Sequence, residues 1–286
     1  MISTDKVTNI FCDIDDFCQV FEPSLNKSLI PDGKKKRRRS RRMSTSEILT
    51  ITVLSHTSDV RTFKHFYLFY VQKHLTNEFP QTVSYNRFIE LMQNNMLPLI
   101  IFMKTCCFGK CTGISFIDST PLRVCKNKRI NNNKVFKGIA TTGKSTMGWF
   151  HGFKLHLLVN DKGEILNFII TQANVDDRNP IKENNFLKKI IGSLYADKGY
   201  ISKEITEMLF DDGLHLVTGI KNNMKNVLMT MRNKILLRKR SVIETINDQL
   251  KNIAQAELSR HRSFGNFITN LVASLIAYSF QEKNKL

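Results

Sequence analysis

The segment Ile114-Ser115-Phe116-Ile117-Asp118-Ser119 is a short apolar run that closes with a carboxylate. A second run of the same form, Ser193-Leu194-Tyr195-Ala196-Asp197, occurs later in the chain. Apolar runs of this length are typical of buried strands, and a polar residue just beyond such a strand stands where the core ends and a site can begin. We therefore predict a strand over 114–118 and another that ends at Asp197, with both carboxylates at the edge of a sheet.

The other elements of this half of the chain follow from periodicity and turn residues. Alternating residues over about 150–159 and 164–171, joined by Asn160-Asp161-Lys162-Gly163, predict a β-hairpin. Pro180 predicts the start of a helix over about 180–191. The pattern then predicts a helix over about 202–212, a strand over 214–220 and a long basic helical region that carries Glu244.

The resulting order is β, β-β hairpin, α, β, α, β, α. This is the order of the ribonuclease-H-like fold, an α/β fold in which a mixed five-stranded sheet is flanked by helices. The first and fourth strands of that fold lie side by side. Asp118 and Asp197 would then be neighbours, although 197 − 118 = 79 residues separate them.

An all-α module is predicted ahead of this sheet. Ser44-Thr45-Ser46-Glu47 is a capping-box pattern before an apolar run, which predicts a helix start. Asp59 can cap a second helix that runs to about Leu75, and a third is predicted from Ser84 to about Met96. Three short helices before an α/β core are typical of a small DNA-binding module. The predicted division is a basic, flexible segment over 1–42, a helical DNA-binding module over 43–112 and a catalytic domain over 113–286.

The net charge of the chain favours a polyanionic partner. Lys and Arg number 43 against 25 Asp and Glu, so the net charge is 43 − 25 = +18. An excess of this size is most simply explained by nucleic acid, whose phosphates basic side chains neutralise. Binding to an acidic membrane surface is the alternative.

The densest basic block lies in the N-terminal segment, after an amphipathic patch from Ile10 to Phe21 that is expected to end at Pro23. A block of like charges repels itself and stays disordered until it meets phosphates. We therefore expect a DNA-contacting arm, with a solubilising linker as the alternative. The arm comprises Lys34, Lys35, Lys36, Arg37, Arg38 and Arg39.

The apolar runs of the chain fall short of the roughly 20 residues that a membrane-spanning helix needs. The run from Met96 to Met103 contains Pro98, and the stretch from Phe264 to Phe280 carries several polar residues. The N-terminal residues lack the basic-then-apolar order of a signal peptide. We therefore expect a cytoplasmic protein with no membrane partner.

Two strand-end carboxylates and one helix carboxylate can together hold a pair of hard divalent cations. Magnesium prefers oxygen ligands in near-octahedral geometry and takes only a few carboxylates from a protein. Asp118, Asp197 and Glu244 are therefore candidate metal ligands, and metal-assisted phosphoryl transfer on nucleic acid is the leading hypothesis. Asp177 is a weaker candidate, because it can pair locally with Arg178.

Four motifs make the chain resemble a DDE transposase of bacterial insertion sequences, and specifically insertion-sequence family 982. They are Ile117 to Cys125, Phe150 to His156, Ala196 to Tyr200 and Ile243 to Lys251. The resemblance covers most of the chain. It implies a catalytic triad whose members also bind metal, namely Asp118, Asp197 and Glu244.

The resemblance also implies the cofactor, the partners and the location. The cofactor would be Mg²⁺, two ions per site, for which Mn²⁺ can substitute. The partners would be double-stranded DNA, as terminal inverted repeats and as target, and a second copy of the chain in a homodimer on that DNA. The location would be the nucleoid in the bacterial cytoplasm.

Related transposases carry a signature around the glutamate: Tyr, two residues, Arg, three residues, Glu, six residues, Lys. Arg240 and Lys251 fit it, whereas the Tyr position is Leu237. At 3.6 residues per turn, Arg240, Glu244 and Lys251 share a helix face, so the two basic side chains can flank the carboxylate and contact DNA phosphates. Charge pairing on a solvated helix is the alternative. Lys198, in the second strand-end motif, completes the predicted DNA contacts.

The expected activity is metal-dependent cleavage at insertion-sequence ends, followed by strand transfer into target DNA. Two alternatives stay open. One is a metal-dependent nuclease of the same fold that cuts without joining, and the other is an inactive DNA-binding relic.

Overall fold

A computed structural model of the chain describes residues 2–28, 41–183, 185–220, 228–257 and 261–281. The predicted DNA-contacting arm from Lys34 to Arg39 lies outside the described residues. The chain divides into two units. A helical unit comprises residues 1–107 with 250–281, and an α/β unit comprises residues 108–249.

The helical unit contains a series of helices, two of them interrupted by π-helical turns. They are α1 (Thr4–Ser28), α2 (Thr45–Leu54), α3 (Phe63–His65), α4 (Gln72–His74), α5 (Tyr85–Asn94), α6 (Met96–Phe102) and α10 (Phe264–Ser279). A π-helical turn over Phe66–Val71 joins α3 to α4, and another over Met103–Cys107 follows α6. Among the described residues, no helix is long and apolar enough to cross a membrane.

Helix α10 forms the centre of the helical unit. It is apolar around most of its circumference, and Leu271, Val272, Leu275 and Ile276 are all buried. It packs against α2, α5 and α6. Each fully buried aliphatic side chain contributes about 1.5–3 kcal/mol. These contacts explain why residues 250–281 join the helical unit, although the sequence analysis assigned them to the catalytic domain over 113–286.

The predicted helix starts were partly right. The capping box at Ser44 is confirmed, because its hydroxyl accepts from Glu47 N and the Glu47 carboxylate accepts from Ser44 N. The start at Asp59 was wrong: Thr62 caps α3 by accepting from His65 N. Helix α1 also continues past Pro23, although an interior proline removes one backbone donor and crowds the carbonyl four residues earlier.

Helix α1 is held by a regular apolar face rather than by local propensity. Val7, Ile10, Ile14 and Cys18 lie three or four residues apart and are buried, and the helix packs against α2. Part of the segment over 1–42 that was expected to be flexible is therefore a long packed helix.

The α/β unit is built on a sheet whose strands come from most of its length. They are β1 (Ile114–Cys125), β2 (Thr141–Ser145), β3 (Gly148–Asn160), β4 (Ile165–Gln172), β5 (Gly192–Ala196) and β6 (Leu214–Thr218). The helices are α7 (Lys203–Asp211), α8 (Met231–Lys239) and α9 (Ser241–Asp248). Single 3₁₀ turns cover Asn127–Arg129, Asn179–Lys182 and Lys198–Tyr200, and a π-helical turn over Gln249–Ile253 follows α9.

The strand order confirms the predicted ribonuclease-H-like sheet. Strand β1 lies between antiparallel β3 and parallel β5, and β5 is parallel to β6. Strands β2 and β4 both pair antiparallel with β3, one after the other along it. The described sheet therefore has six strands rather than five. Strand β2 was missed because Thr141-Thr142-Gly143-Lys144-Ser145 lacks apolar alternation.

Three predicted boundaries differ in the structure. Strand β1 does not end at Asp118 but continues to Cys125, because the chain stays paired with β3. Of the helix predicted over 180–191, only the turn Asn179–Lys182 forms among the described residues. Its apolar residues, including Phe186 and Ile190, are buried in the core of this unit without a helix. The long basic helix is broken at Arg240 into α8 and α9.

Candidate active site

The parallel pairing of β1 with β5 sets Asp118 opposite Asp197. The ladder pairs Ile114 with Ser193 and Phe116 with Tyr195, a constant separation of 79 residues. Asp118 and Asp197 each come two residues after the last of these pairs, and their residue numbers also differ by 79. Strand β5 ends at Ala196, and Asp197 begins the turn that follows with an extended backbone. Two carboxylates thus lie at one end of this parallel pair.

Asp118 is the more enclosed of the two, with 21% of its side chain exposed. Its Oδ2 accepts a hydrogen bond of 3.1 Å from Asn247 Nδ2, and its Oδ1 lies 3.8 Å from Arg240 Nη1. Burial raises the pKa of Asp118 to about 6, and the charges of Glu244 and Asp197 act in the same direction. Arg240 opposes this rise. The three predicted carboxylates therefore share one electrostatic environment.

Helix α9 delivers its residues to the site because its other face is anchored in the core. Ile243 and Ile246 are fully buried, and the helix packs against β1. Residues one turn apart lie on one face of a helix, so Arg240, Glu244 and Asn247 point the same way. Arg240 Nη2 donates to Glu244 Oε1 at 2.6 Å, while 57% of the Glu244 side chain stays exposed.

The oxygen atoms of these carboxylates are suitable ligands for a divalent cation, but the side chains of the described residues are not arranged as a complete metal site. Among those residues, no three His, Cys, Asp or Glu side chains are arranged to hold a metal ion. Oxygen donors are what Mg²⁺ prefers, and a cation would stabilise the charged form of Asp118, which burial and, to a smaller extent, the charges of Glu244 and Asp197 disfavour. Asp197 and Glu244 are exposed, so their side chains can turn towards Asp118. In the structure, the positive charge beside Asp118 is that of Arg240.

A second group of polar residues lies beside Asp118. Lys154 Nζ contacts Asp177 Oδ1 at 2.9 Å and donates to Val175 O at 2.8 Å. Tyr200 is buried, and its pKa lies well above the ordinary value because of burial and of the charges of Asp177 and Asp118. Tyr200 is therefore close enough to feel the charges of both Asp118 and Asp177.

The expected pairing of Asp177 with Arg178 was wrong. Arg178 binds Asp176 instead, through Nε at 2.8 Å and Nη2 at 2.6 Å. Asp177 pairs with Lys154 because β3 places that lysine beside the end of β4.

The predicted DNA-contacting residues occupy different settings. Arg240 bridges towards two carboxylates, Asp118 and Glu244. Lys198 is exposed in the turn after β5. Lys251 lies in the π-helical turn that follows α9, so the 3.6-residue spacing used to place it beside Glu244 does not extend past Asp248. The DNA contacts of all three stay predictions.

Asn247 is the site residue that the sequence analysis missed. Its position three residues after Glu244 was a signal, since that spacing returns to the same helix face. Asparagine is common on exposed helix faces, however, and only the packing of α9 against β1 shows that this one is buried and bonded to Asp118.

A model of the family described as Transposase DDE domain matches residues 108–264. No curated protein matches the chain. Among solved structures, the piggyBac transposase synaptic complex with hairpin DNA aligns at 11% identity and a TM-score of 0.45, covering 95% of this chain and 72% of that chain. The Mos1 strand transfer complex aligns at 10% identity and a TM-score of 0.24, covering 91% of this chain and 83% of that chain.

The family match includes all three carboxylates of the site. It spans 264 − 108 + 1 = 157 of the 286 residues, which is more than half of the chain. It begins six residues before β1 and runs through α9 to the first residue of α10. The chain therefore belongs to the family of transposase DDE domains.

Proposed function

We propose that the chain is a DNA transposase that cleaves DNA at insertion-sequence ends and joins the freed 3′-OH to target DNA. The observation that carries this proposal is the geometry of three carboxylates within a transposase DDE domain: the β1–β5 register brings Asp118 towards Asp197, and Arg240 links Asp118 with Glu244. The motifs around these residues favour insertion-sequence family 982. The working complex is a homodimer on DNA at the nucleoid of a bacterial cell.

Asp118, Asp197 and Glu244 are the catalytic residues and the metal ligands in this proposal. These three side chains would hold two Mg²⁺ ions, for which Mn²⁺ can substitute. When bound, such ions would supply an activated water and charge stabilisation at the leaving 3′ oxygen. Asn247 orients the Asp118 carboxylate through its hydrogen bond.

Basic side chains near the carboxylates hold the DNA backbone. Arg240 lies beside Asp118 and Glu244, so its guanidinium group can leave these carboxylates and bind a DNA phosphate instead. Lys198 and Lys251 add phosphate contacts further along the strand. The predicted arm from Lys34 to Arg39 and the helical module over 43–112 contribute binding that precedes cleavage.

The test is a Mg²⁺-dependent assay on duplex DNA that carries the sequences flanking the gene. Wild-type protein should release a 3′-OH end and join it to target DNA. Glu244→Gln and Asp118→Asn should lose both reactions while binding the same DNA, as measured by fluorescence anisotropy. Thr245→Ala is the matched control, because Thr245 is exposed on α9 and lies beside Glu244 in sequence.

The outcomes separate the three functional hypotheses. Cleavage without joining would indicate a nuclease of the same fold. DNA binding without metal-dependent chemistry would indicate an inactive relic. Full cleavage by Glu244→Gln would remove Glu244 from the catalytic set.

A further inference from the structure

A 42-residue stretch of the α/β unit contains no acidic residue. Between Asp118 and Asp161, the sequence has eight Lys or Arg and no Asp or Glu. Seven of the eight are exposed: Arg123, Lys126, Lys128, Arg129, Lys134, Lys137 and Lys144. The eighth, Lys154, pairs with Asp177 near the carboxylate site. The stretch is thus a concentrated source of the chain's excess positive charge.

Two large apolar side chains are exposed within this basic stretch. Met147, in the turn between β2 and β3, is 82% exposed, and Trp149, at the start of β3, is 62% exposed. Trp149 is the single tryptophan of the chain. Two such side chains within three residues of the chain mark a candidate interaction surface. Their basic surroundings indicate the chemistry of the partner.

Lys144 and Trp149 lie on one face of the β2–β3 hairpin. Lys144 is paired directly opposite Trp149, and directly opposite residues of an antiparallel pair project to the same face. Asn127 Nδ2 donates to Trp149 O at 2.9 Å. This bond ties the turn Asn127–Arg129, with its exposed Lys128 and Arg129, to the start of β3.

Strand β2 and the residues just before it are fixed to the rest of the sheet and do not form a free loop. Gly143 lies so close to Ala173 that a Cβ at this position would overlap the Ala173 carbonyl oxygen. Thr141 Oγ1 donates to Asn174 Oδ1 at 2.8 Å, and Gln172 Nε2 donates to Ile139 O at 2.8 Å. Trp149 is therefore presented at a defined place on the α/β unit.

From these observations we infer that residues 126–149, here named the basic ribbon, form a DNA-contacting element separate from the carboxylate site. Its lysine and arginine side chains contact phosphates, and Trp149 with Met147 makes apolar contact with the sugars and bases. Basic side chains beside exposed aromatic groups suit nucleic acid, because phosphates and base faces are bound together. A second copy of the same basic surface would be repelled, so self-association does not explain it. The inference rests on the proposed DNA transposase function.

The register gives the distance from this element to the catalytic carboxylate. Asp118 is paired with Leu157 on β3, eight residues beyond Trp149. At about 3.3 Å per residue, the two positions lie roughly 26 Å apart along the strand. This equals about eight base pairs at 3.4 Å each. The basic ribbon would thus bind DNA flanking the cleaved bond.

The single tryptophan makes the test direct. The full chain is titrated with fluorescein-labelled duplex carrying the flanking sequences, and labelled-DNA anisotropy is followed beside the tryptophan emission of a parallel titration with unlabelled duplex. We expect the Trp149 emission to be quenched with the same midpoint as the anisotropy. Trp149→Ala should weaken DNA binding about tenfold, as loss of one aromatic contact does. Lys144→Gln should reduce the salt slope of binding by about one.

Phe210→Ala is the matched control, since Phe210 is 72% exposed on α7 of the same unit and lies outside the basic ribbon. It should bind DNA as the wild type does. Circular dichroism of each variant shows that its fold is retained.

Two outcomes would overturn the inference. The first is DNA binding with unchanged Trp149 emission and with wild-type affinity in Trp149→Ala; the proposed transposase function would survive that result if cleavage and joining persist. The second is quenching that depends on protein concentration in the absence of DNA, which would assign the surface to self-association. Quenching with weakened binding, in a protein that neither cleaves nor joins DNA, would support the basic ribbon and contradict the proposed function.

Discussion

Asp118 is a residue on which burial and neighbouring charges act against each other. Burial raises its pKa to about 6, aided by Glu244 and Asp197, while Arg240 opposes the rise. A carboxyl group whose folded pKa exceeds its unfolded value of about 3.9 destabilises the fold as pH rises through the interval between the two values. Such costs are characteristic of functional sites. The buried Asp118 carboxylate that causes this loss of stability is also held in one orientation by the hydrogen bond from Asn247.

Replacing Asn247 tests this orientation. Asn247→Ala should lower the rate of strand joining at least tenfold, because a hydrogen bond to a charged group contributes about 1.5–3 kcal/mol. DNA affinity should change little. The measurement is the joining rate at saturating Mg²⁺, with Thr245→Ala as the variant from the exposed face of α9. Joining by Asn247→Ala at the wild-type rate would show that Asp118 is oriented without it.

At the scale of elements, the beginning of α2 shows how a local signal can fix a helix. Ser44 and Glu47 cap each other's backbone donors, and nine of the ten residues of α2 are buried. Helix α5 provides a contrast, because Ser84 also precedes it but makes no capping hydrogen bond within the described part of the chain. Among the residues described, serine at the N-cap position therefore contributes a capping hydrogen bond at Ser44 but none at Ser84.

This contrast predicts unequal effects of the same substitution. Ser44→Ala should reduce the free energy of unfolding by about 1 kcal/mol, since it removes a capping acceptor from Glu47 N. Ser84→Ala, the matched control, should change it by less than about 0.5 kcal/mol. Urea unfolding followed by far-ultraviolet circular dichroism measures both. Equal losses would mean that the capping hydrogen bond at Ser44 contributes nothing beyond the residue's position.

At the scale of the whole molecule, buried histidines link stability to pH. Burial lowers the pKa of His56 to about 4, and the same cause lowers that of His261 to about 4. His56 Nδ1 lies 2.6 Å from Ala254 O, within the helical unit. An unfolded histidine has a pKa near 6.5, so the unfolded chain takes up protons first as pH falls. The contribution of these two histidines to stability is therefore complete above about pH 6.5 and decreases as pH falls towards 4.

His56→Asn should make the protein less sensitive to acid. Each histidine of this kind costs about 2 kcal/mol between pH 8 and pH 5. The difference in the free energy of unfolding between these two pH values should therefore shrink by about that amount in the variant. Urea titrations at both pH values measure it, and His74→Asn, at an exposed histidine, should leave the difference unchanged. An unchanged difference in His56→Asn would show that His56 is already protonated in the folded state at pH 5.

The sequence by itself determined the features that depend on short-range pattern. Apolar runs located the strands that carry Asp118 and Asp197, and a Gly-containing turn between alternating residues located the β3–β4 hairpin. Element order then sufficed for the ribonuclease-H-like sheet, because few topologies accommodate that order. The helix predicted over 180–191 was wrong because the apolar residues of this segment indicate that it is buried but do not specify its backbone conformation. Apolar spacing reports burial, and Phe186 and Ile190 are buried without being helical.

Tertiary structure alone decided which side chains meet. The bond from Asn247 to Asp118 spans 129 residues and depends on the packing of α9 against β1. The position of α10 in the helical unit depends on which apolar surfaces were available to cover it. The exposure of Trp149 depends on the neighbours that β2 and the turn Asn127–Arg129 provide. These features are set by contacts between distant segments. Hydrophobic burial drives such contacts but is not directional, so an apolar pattern marks a surface as buried without specifying the segment that covers it.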